Sequence, residues 1–223
     1  MSQPEVFVTG GTGYLGQPLI EALLARGHAV TALTRSASAS RIPDGARVLI
    51  GDALDAASYA AHVPNGAAFV HLVGVAHPGP TKARQFETID LASVRASLSA
   101  ARQTRAAQFI YMSVAQPAPV MRAYIAARMA AESLIAASGL PATVLRPWYV
   151  LGPGHRWPCV LVPVYWLMER LPPTRELALR LGLVSRAQMV AALVRAVETP
   201  ASGLRVVDVP QIKSPRPLSR VPS

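Results

Sequence analysis

The sequence predicts an α/β fold, a doubly wound parallel sheet with helices on both faces and a small helical lobe near the C-terminus. Three observations carry it. Short apolar, β-branched runs (residues 6–8, 29–33, 46–50, 67–74, 108–112, 142–146 and 204–209) alternate with stretches of helical apolar spacing. Gly10, Gly13 and Gly16 sit three apart where the first run passes into the first helix. With 223 residues, 51% of them hydrophobic and 15% charged, the chain suits one well-buried domain and is short for two. We therefore expect a single domain over residues 1–209, a cap inserted at 155–185 and a Pro- and Ser-rich disordered tail at 210–223.

The first strand, residues 6–8, turns into a helix with Leu19, Ile20, Leu23 and Leu24 on one face. Glycines between such elements make the tight turn, admit a pyrophosphate to the backbone and let helix and strand pack closely. The free N–H groups and the dipole of the helix start then favour phosphate. Glycines also serve purely structural turns, but the strand–glycine–helix context points to a dinucleotide. The run Thr9-Gly10-Gly11-Thr12-Gly13-Tyr14-Leu15-Gly16 resembles the TGGTGxxG signature of the extended and atypical short-chain dehydrogenases/reductases. The likeness runs from Val6 to about Val209 and implies a Rossmann fold with a nicotinamide cofactor held by Gly10, Thr12, Gly13, Tyr14, Leu15 and Gly16.

The second strand ends in Thr34-Arg35-Ser36. An acid at this place accepts from the adenosine ribose hydroxyls, whereas an arginine welcomes a 2′-phosphate. Arg35, with Ser36 and Arg41, therefore argues for NADP(H) over NAD(H). After the third strand comes Gly51-Asp52-Ala53-Leu54-Asp55, and the resemblance puts Asp52 beside the adenine. Asp52 or Asp55 is equally suited to capping a helix that contains Tyr59 and Ala60. In the fourth strand, His71 is expected to pack in the core, and Leu72, Val73 and Gly74 resemble the family's segment under the nicotinamide ribose. The loop that follows offers His77 and Lys82 as possible contacts. A long helix over residues 86–105 then presents Phe86, Ile89, Val94 and Leu98 to the core.

Ser113 ends the fifth strand, Tyr124 follows eleven positions later and Arg128 four after that. In the resembling family a Ser binds the substrate oxygen and a Tyr moves the proton. A Lys four residues on assists the Tyr and holds the ribose. Ser113 and Tyr124 match that pattern, and Arg128 replaces the Lys. A guanidinium keeps the charge but is bulkier and forked. Glu132, one turn beyond, is spaced to pair with Arg128 and turn it from the cofactor. Leu145-Arg146-Pro147 through Gly152-Pro153-Gly154 resembles the family's segment closing over the nicotinamide, which makes Arg146 and Pro147 candidate contacts. The segment beyond, with Trp157, Tyr165 and Trp166, is expected to shape substrate choice, and residues 185–197 form a final helix.

The net charge of +10 comes from scattered arginines, with Lys82 and Lys213 the only lysines. No nucleic-acid motif accompanies it. The histidines lack metal-ligand spacing, and Cys159 is a lone cysteine, which excludes an intrachain disulfide and suggests a reducing, cytoplasmic setting. The longest apolar stretch, residues 157–168, is too short to span a bilayer. The expected protein is thus an NADP(H)-dependent oxidoreductase acting on a small carbonyl or alcohol, as monomer or homodimer. Two alternatives stay open: an NADP(H)-binding sensor or assembly factor, as in relatives of NmrA type, and a sugar-nucleotide epimerase or dehydratase.

Overall fold

The computed structural model describes residues 3–75, 79–116, 121–153, 181–216 and 218. Seven parallel strands form one sheet: β1 (Val6–Thr9), β2 (Val30–Thr34), β3 (Arg47–Ile50), β4 (Ala68–His71), β5 (Gln108–Met112), β6 (Ala142–Arg146) and β9 (Leu204–Asp208). Their order is β3-β2-β1-β4-β5-β6-β9, so the chain reverses direction across the sheet between β1 and β4. Ligands of open parallel sheets lie outside such a switch point, at the carboxyl ends of the strands. A separate two-stranded parallel ribbon pairs β7 (Tyr149–Leu151) with β8 (Leu183–Ser185).

The strand periodicity of two divides the core. Val6, Val8, Val70, Ile110 and Leu145 face one side, where they meet Leu19, Ile20 and Leu23 of helix α1 (Gly16–Ala25) and Met189, Leu193 and Val194 of α4 (Arg186–Glu198). Phe7, Phe69, Phe109 and Tyr111 face the other, against Val94 and Leu98 of α2 (Ala92–Gln103) and Ile135 of α3 (Arg122–Ala137). Ser185 starts α4 with a capping box: its hydroxyl accepts from the Gln188 N–H at 3.1 Å, and the Gln188 side chain accepts from the Ser185 N–H at 2.9 Å.

Several expectations need correction. The long helix over residues 86–105 is interrupted by a π-helical stretch, Phe86–Leu91, before α2 begins. Instead of a helix containing Tyr59 and Ala60 there are two 3-10 turns, Ala56–Ser58 and Ala60–His62, with the Asp55 carboxylate capping the first at Ala57. The C-terminal end of the expected cap is strand β8, and the body of the cap, with Trp157, Cys159, Tyr165 and Trp166, lies outside the described residues. The tail expected to be disordered from Pro210 opens with a short helix, α5 (Val209–Lys213), held by an Asp208–Gln211 capping box. Ile212 and Leu218 bury their apolar side chains in the core, which composition alone did not reveal. Among the described residues no helix is long and apolar enough to cross a membrane.

Candidate functional site

The glycine loop fills the space between β1 and α1 so tightly that side chains are excluded. A Cβ on Gly10 would stand 2.7 Å from the carbonyl carbon of Leu72, and its φ of +78° is one that L residues rarely adopt. A Cβ on Gly16 would strike the Gly10 carbonyl oxygen and stand 2.6 Å from the Gly11 carbonyl carbon. Gly13 closes the turn with its N–H on the Gly10 carbonyl at 3.0 Å. The N–H groups of Thr12 and Leu15 meet no backbone carbonyl among the described residues. Such a bare cradle at a helix start fits the diphosphate of a dinucleotide.

At the end of β2, Arg35 is exposed and pairs with no carboxylate among the described residues, and Ser36 opens a 3-10 turn (Ser36–Arg41). That turn brings Arg41 back to the loop, where its guanidinium donates to the Thr12 carbonyl at 2.8 Å and its own carbonyl accepts from Gln17. Asp52 is exposed beyond β3, and its carboxylate accepts from the Leu54 N–H at 2.9 Å. Leu72 and Val73 are half-buried and lie against Gly10, and Gly74 is exposed.

His71 is a core histidine. It is fully buried, with Nδ1 3.0 Å from the Thr9 hydroxyl and 2.9 Å from that of Ser97. Burial, with the Arg128 charge adding to it, pushes its pKa down to about 3.

Tyr124 and Arg128 share one face of α3, as their spacing requires, but Arg128 does not pair with Glu132. Its guanidinium, 3% exposed, makes an ion pair with Asp90 at 3.1 Å and donates to the Tyr111 hydroxyl at 2.9 Å and the Met112 carbonyl at 3.0 Å. It also lies 5.0 Å over the Tyr124 ring, whose centroid is 5.1 Å from that of Phe86. A Cβ on Gly74 would come within 2.6 Å of Arg128 Nη2. Burial works against this charge, yet Tyr124, Tyr111 and Asp90 hold its pKa above the ordinary arginine value. Burial raises the pKa of Asp90, against the pull of Arg128 and the Val75 N–H that its carboxylate accepts at 2.7 Å. Tyr111 is pushed up to about 12, chiefly by burial.

Glu132 instead gathers the ends of β5 and β6. Its carboxylate accepts from the Ser113 hydroxyl, from Gln116 at 2.9 Å and from Arg146 Nε at 3.1 Å. Its second oxygen accepts from Arg146 Nη2. Hydrogen bonding to Glu132 raises the Arg146 pKa. Ser113 is thus buried with its proton engaged, Arg146 faces Glu132, and Pro147 is buried with its carbonyl on the Ala115 N–H at 2.9 Å. Sequence reasoning missed Asp90, one of two acids in the stretch Phe86–Leu91, with nothing in the sequence to single it out from Glu87. It also missed Arg186, which rests 5.4 Å over the Tyr14 ring. His77 and Gly154 lie outside the described residues.

The outcome of comparison with known proteins agrees with this geometry. A family model described as NAD(P)H-binding matches residues 10–160. The chain belongs to this NAD(P)H-binding family. Its seven-stranded parallel sheet is a Rossmann fold. The ceramide reductase of Caulobacter vibrioides is 28% identical over 211 residues, covering 89% of this chain and 62% of that protein. A divinyl chlorophyllide a 8-vinyl-reductase of Oryza sativa subsp. indica is 33% identical over 123 residues, 50% of this chain and 30% of the relative. A 3-diazoavenalumate denitrifying reductase of Streptomyces sp is 56% identical over 50 residues, 22% of this chain and 16% of the relative. The chain therefore spans at most 62% of the length of these relatives. Among solved structures, the Bordetella bronchiseptica enzyme WbmH in complex with NAD+ has a TM-score of 0.67 at 20% identity, with 92% of this chain and 75% of that one covered. A UDP-glucose 4-epimerase reaches 0.68 at 17% identity, covering 94% and 80%. These two likenesses concern the fold.

Proposed function

We propose that this protein is an NADP(H)-dependent oxidoreductase transferring a hydride to a small carbonyl or from the corresponding alcohol at the carboxyl ends of β4 to β6. The observation that carries the reading is the glycine cradle at the start of α1 together with a tyrosine that shares its helix face with a buried cation. Gly10, Gly13 and Gly16 leave room for the cofactor diphosphate, with the Thr12 and Leu15 N–H groups facing it. Leu72, Val73 and Gly74 line the path towards the nicotinamide, Asp52 is available to the adenine amino group, and Arg35 and Ser36 face the 2′-phosphate. The bound cofactor supplies the hydride.

Tyr124 is the proton donor in this reading. As its hydroxyl proton leaves for a substrate oxygen, the Arg128 guanidinium above the ring compensates the negative charge left behind. Arg128 acts in place and does not reach for a ribose, because Tyr111 and Met112 hold its Nη1 and Asp90 its Nη2. Ser113 contacts the substrate oxygen only by releasing Glu132, so it is the second contact and Tyr124 the first. Arg146 and Pro147 shape the same wall. The relatives that are reductases support the reaction class.

A second reading has its own observation. The Asp90–Arg128 pair leaves the usual lysine role unfilled, which favours a protein that holds NADP(H) and reports its redox state. Titrating the purified protein with NADPH and NADH by fluorescence, then following NADPH absorbance with a panel of carbonyl compounds, separates the two. Oxidation by a panel member, lost in Tyr124→Phe with cofactor affinity kept, establishes the reductase. Turnover equal in Tyr124→Phe refutes the tyrosine's role, and binding without turnover favours the sensor. Arg35→Asp is expected to weaken NADPH far more than NADH, and equal losses would refute the NADP(H) preference.

A further inference from the structure

We infer that Arg186 is a diphosphate-contacting residue of the cofactor site, reaching the glycine loop from the start of α4, 170 positions along the chain from Gly16. The inference rests on the reading of that loop as a dinucleotide site. Arg186 follows directly on β8, and its guanidinium carbon lies 5.4 Å from the centroid of the Tyr14 ring. Tyr14 sits between Gly13 and Leu15, inside the cradle. Gly152, just beyond β7, packs against both residues, since a Cβ there would strike the Tyr14 hydroxyl oxygen and stand 3.2 Å from Arg186 Cβ. This packing keeps the half-buried Arg186 side chain beside the loop.

No carboxylate pairs with Arg186 among the described residues, whereas the buried arginine of the site, Arg128, has Asp90, and Arg146 has Glu132. Its charge is felt at Tyr14, where it opposes the rise in pKa that burial causes. On the other flank of the loop, Arg41 is tied to the Thr12 carbonyl. The cradle thus lies between two arginines, and N–H groups without a backbone acceptor lie between them. A ligand with two adjacent anionic groups matches that frame, because a guanidinium offers forked donors to phosphate oxygens and binds them in two-point fashion. Arg41 stands on the β2 side, where the adenosine end belongs. Arg186 stands on the ribbon side, so its charge serves the diphosphate common to both dinucleotides.

The test is the dissociation constants of NADPH and NADH for the full chain and for Arg186→Met, Arg186→Lys and Arg41→Met. Methionine keeps the stem on the Tyr14 ring and removes only the charge. Arg186→Met is expected to weaken both dinucleotides alike by roughly tenfold, the loss of one charge-assisted hydrogen bond. The loss should shrink as salt rises from about 50 to about 500 mM, and Arg186→Lys should recover part of it. Arg41→Met should instead change the ratio of NADPH to NADH affinity. Affinities for NADH that are equal in the protein and in Arg186→Met overturn the inference while leaving the cofactor site standing. A loss that is independent of salt also overturns it, because packing and not charge would then be the cause. If the unaltered protein binds neither dinucleotide, the cofactor-site reading itself falls and this inference falls with it.

Discussion

Acid is expected to unfold this protein through His71 before most carboxylates respond. The imidazole is fully buried in β4 beneath Phe109 and Tyr111, with Nδ1 against the hydroxyls of Thr9 and Ser97 and the Arg128 charge nearby. Its pKa falls from 6.5 to about 3 on folding. The folded state therefore binds fewer protons than the unfolded chain throughout that window. Stability contributed by the neutral ring is complete above pH 6.5 and is lost as pH falls towards 3, at up to about 1.4 kcal/mol per pH unit. By pH 5 the loss is about 2 kcal/mol, and the full difference is on the order of 5 kcal/mol. Asp90 works in the opposite sense. Burial raises its pKa, so its protonation favours the folded state as pH falls through the range just above the ordinary aspartate value. Urea unfolding of the protein and of His71→Phe at several pH values between about 7.5 and about 4.5 isolates the histidine term, since Asp90 is common to both. The phenylalanine variant should be less stable at neutral pH, having stranded the Thr9 and Ser97 hydroxyls, but should show a flatter pH dependence. Parallel losses in the two proteins would refute the reasoning, as would a His71 imidazole resonance that titrates near 6.5 in the folded protein.

The Asp90–Arg128 pair offers a second test. Asp90→Asn keeps an acceptor for the Val75 N–H but leaves a guanidinium that is 3% exposed without its counter-charge, and a loss of about 3–5 kcal/mol in unfolding free energy is expected. The double variant Asp90→Leu with Arg128→Met should lose clearly less than the sum of its single changes, and additive losses would show that the two charges do not act as a pair. Gly16→Ala should abolish NADPH binding in a fluorescence titration, because the added Cβ must displace Gly10 and Gly11 backbone. Gly203→Ala, where a Cβ meets nothing within 4 Å, is the control and should bind normally.

The α/β class and the cofactor cradle were legible in the sequence because both follow from local rules. Strands buried on both faces need apolar, β-branched runs, a diphosphate at a helix start needs glycines three apart, and neither depends on distant parts of the chain. His71 was legible for the same reason, as a polar residue inside such a run. The partners of the charged side chains were not legible. Spacing on α3 alone joined Glu132 to Arg128, but the π-helical stretch Phe86–Leu91 carries Asp90 to the guanidinium, and the ends of β5 and β6 carry Ser113 and Arg146 to Glu132. A buried charge takes the best-placed opposite charge in three dimensions, wherever it lies in sequence. The same holds for the tail, whose proline and serine content signals disorder while Ile212 and Leu218 bury themselves in the core, and for Arg186, which only the ribbon of β7 and β8 brings to the glycine loop. Local sequence determined the sheet and the cradle beside it. The tertiary structure decided which charges surround them, because ion pairing depends on distance in space and the sequence records only distance along the chain.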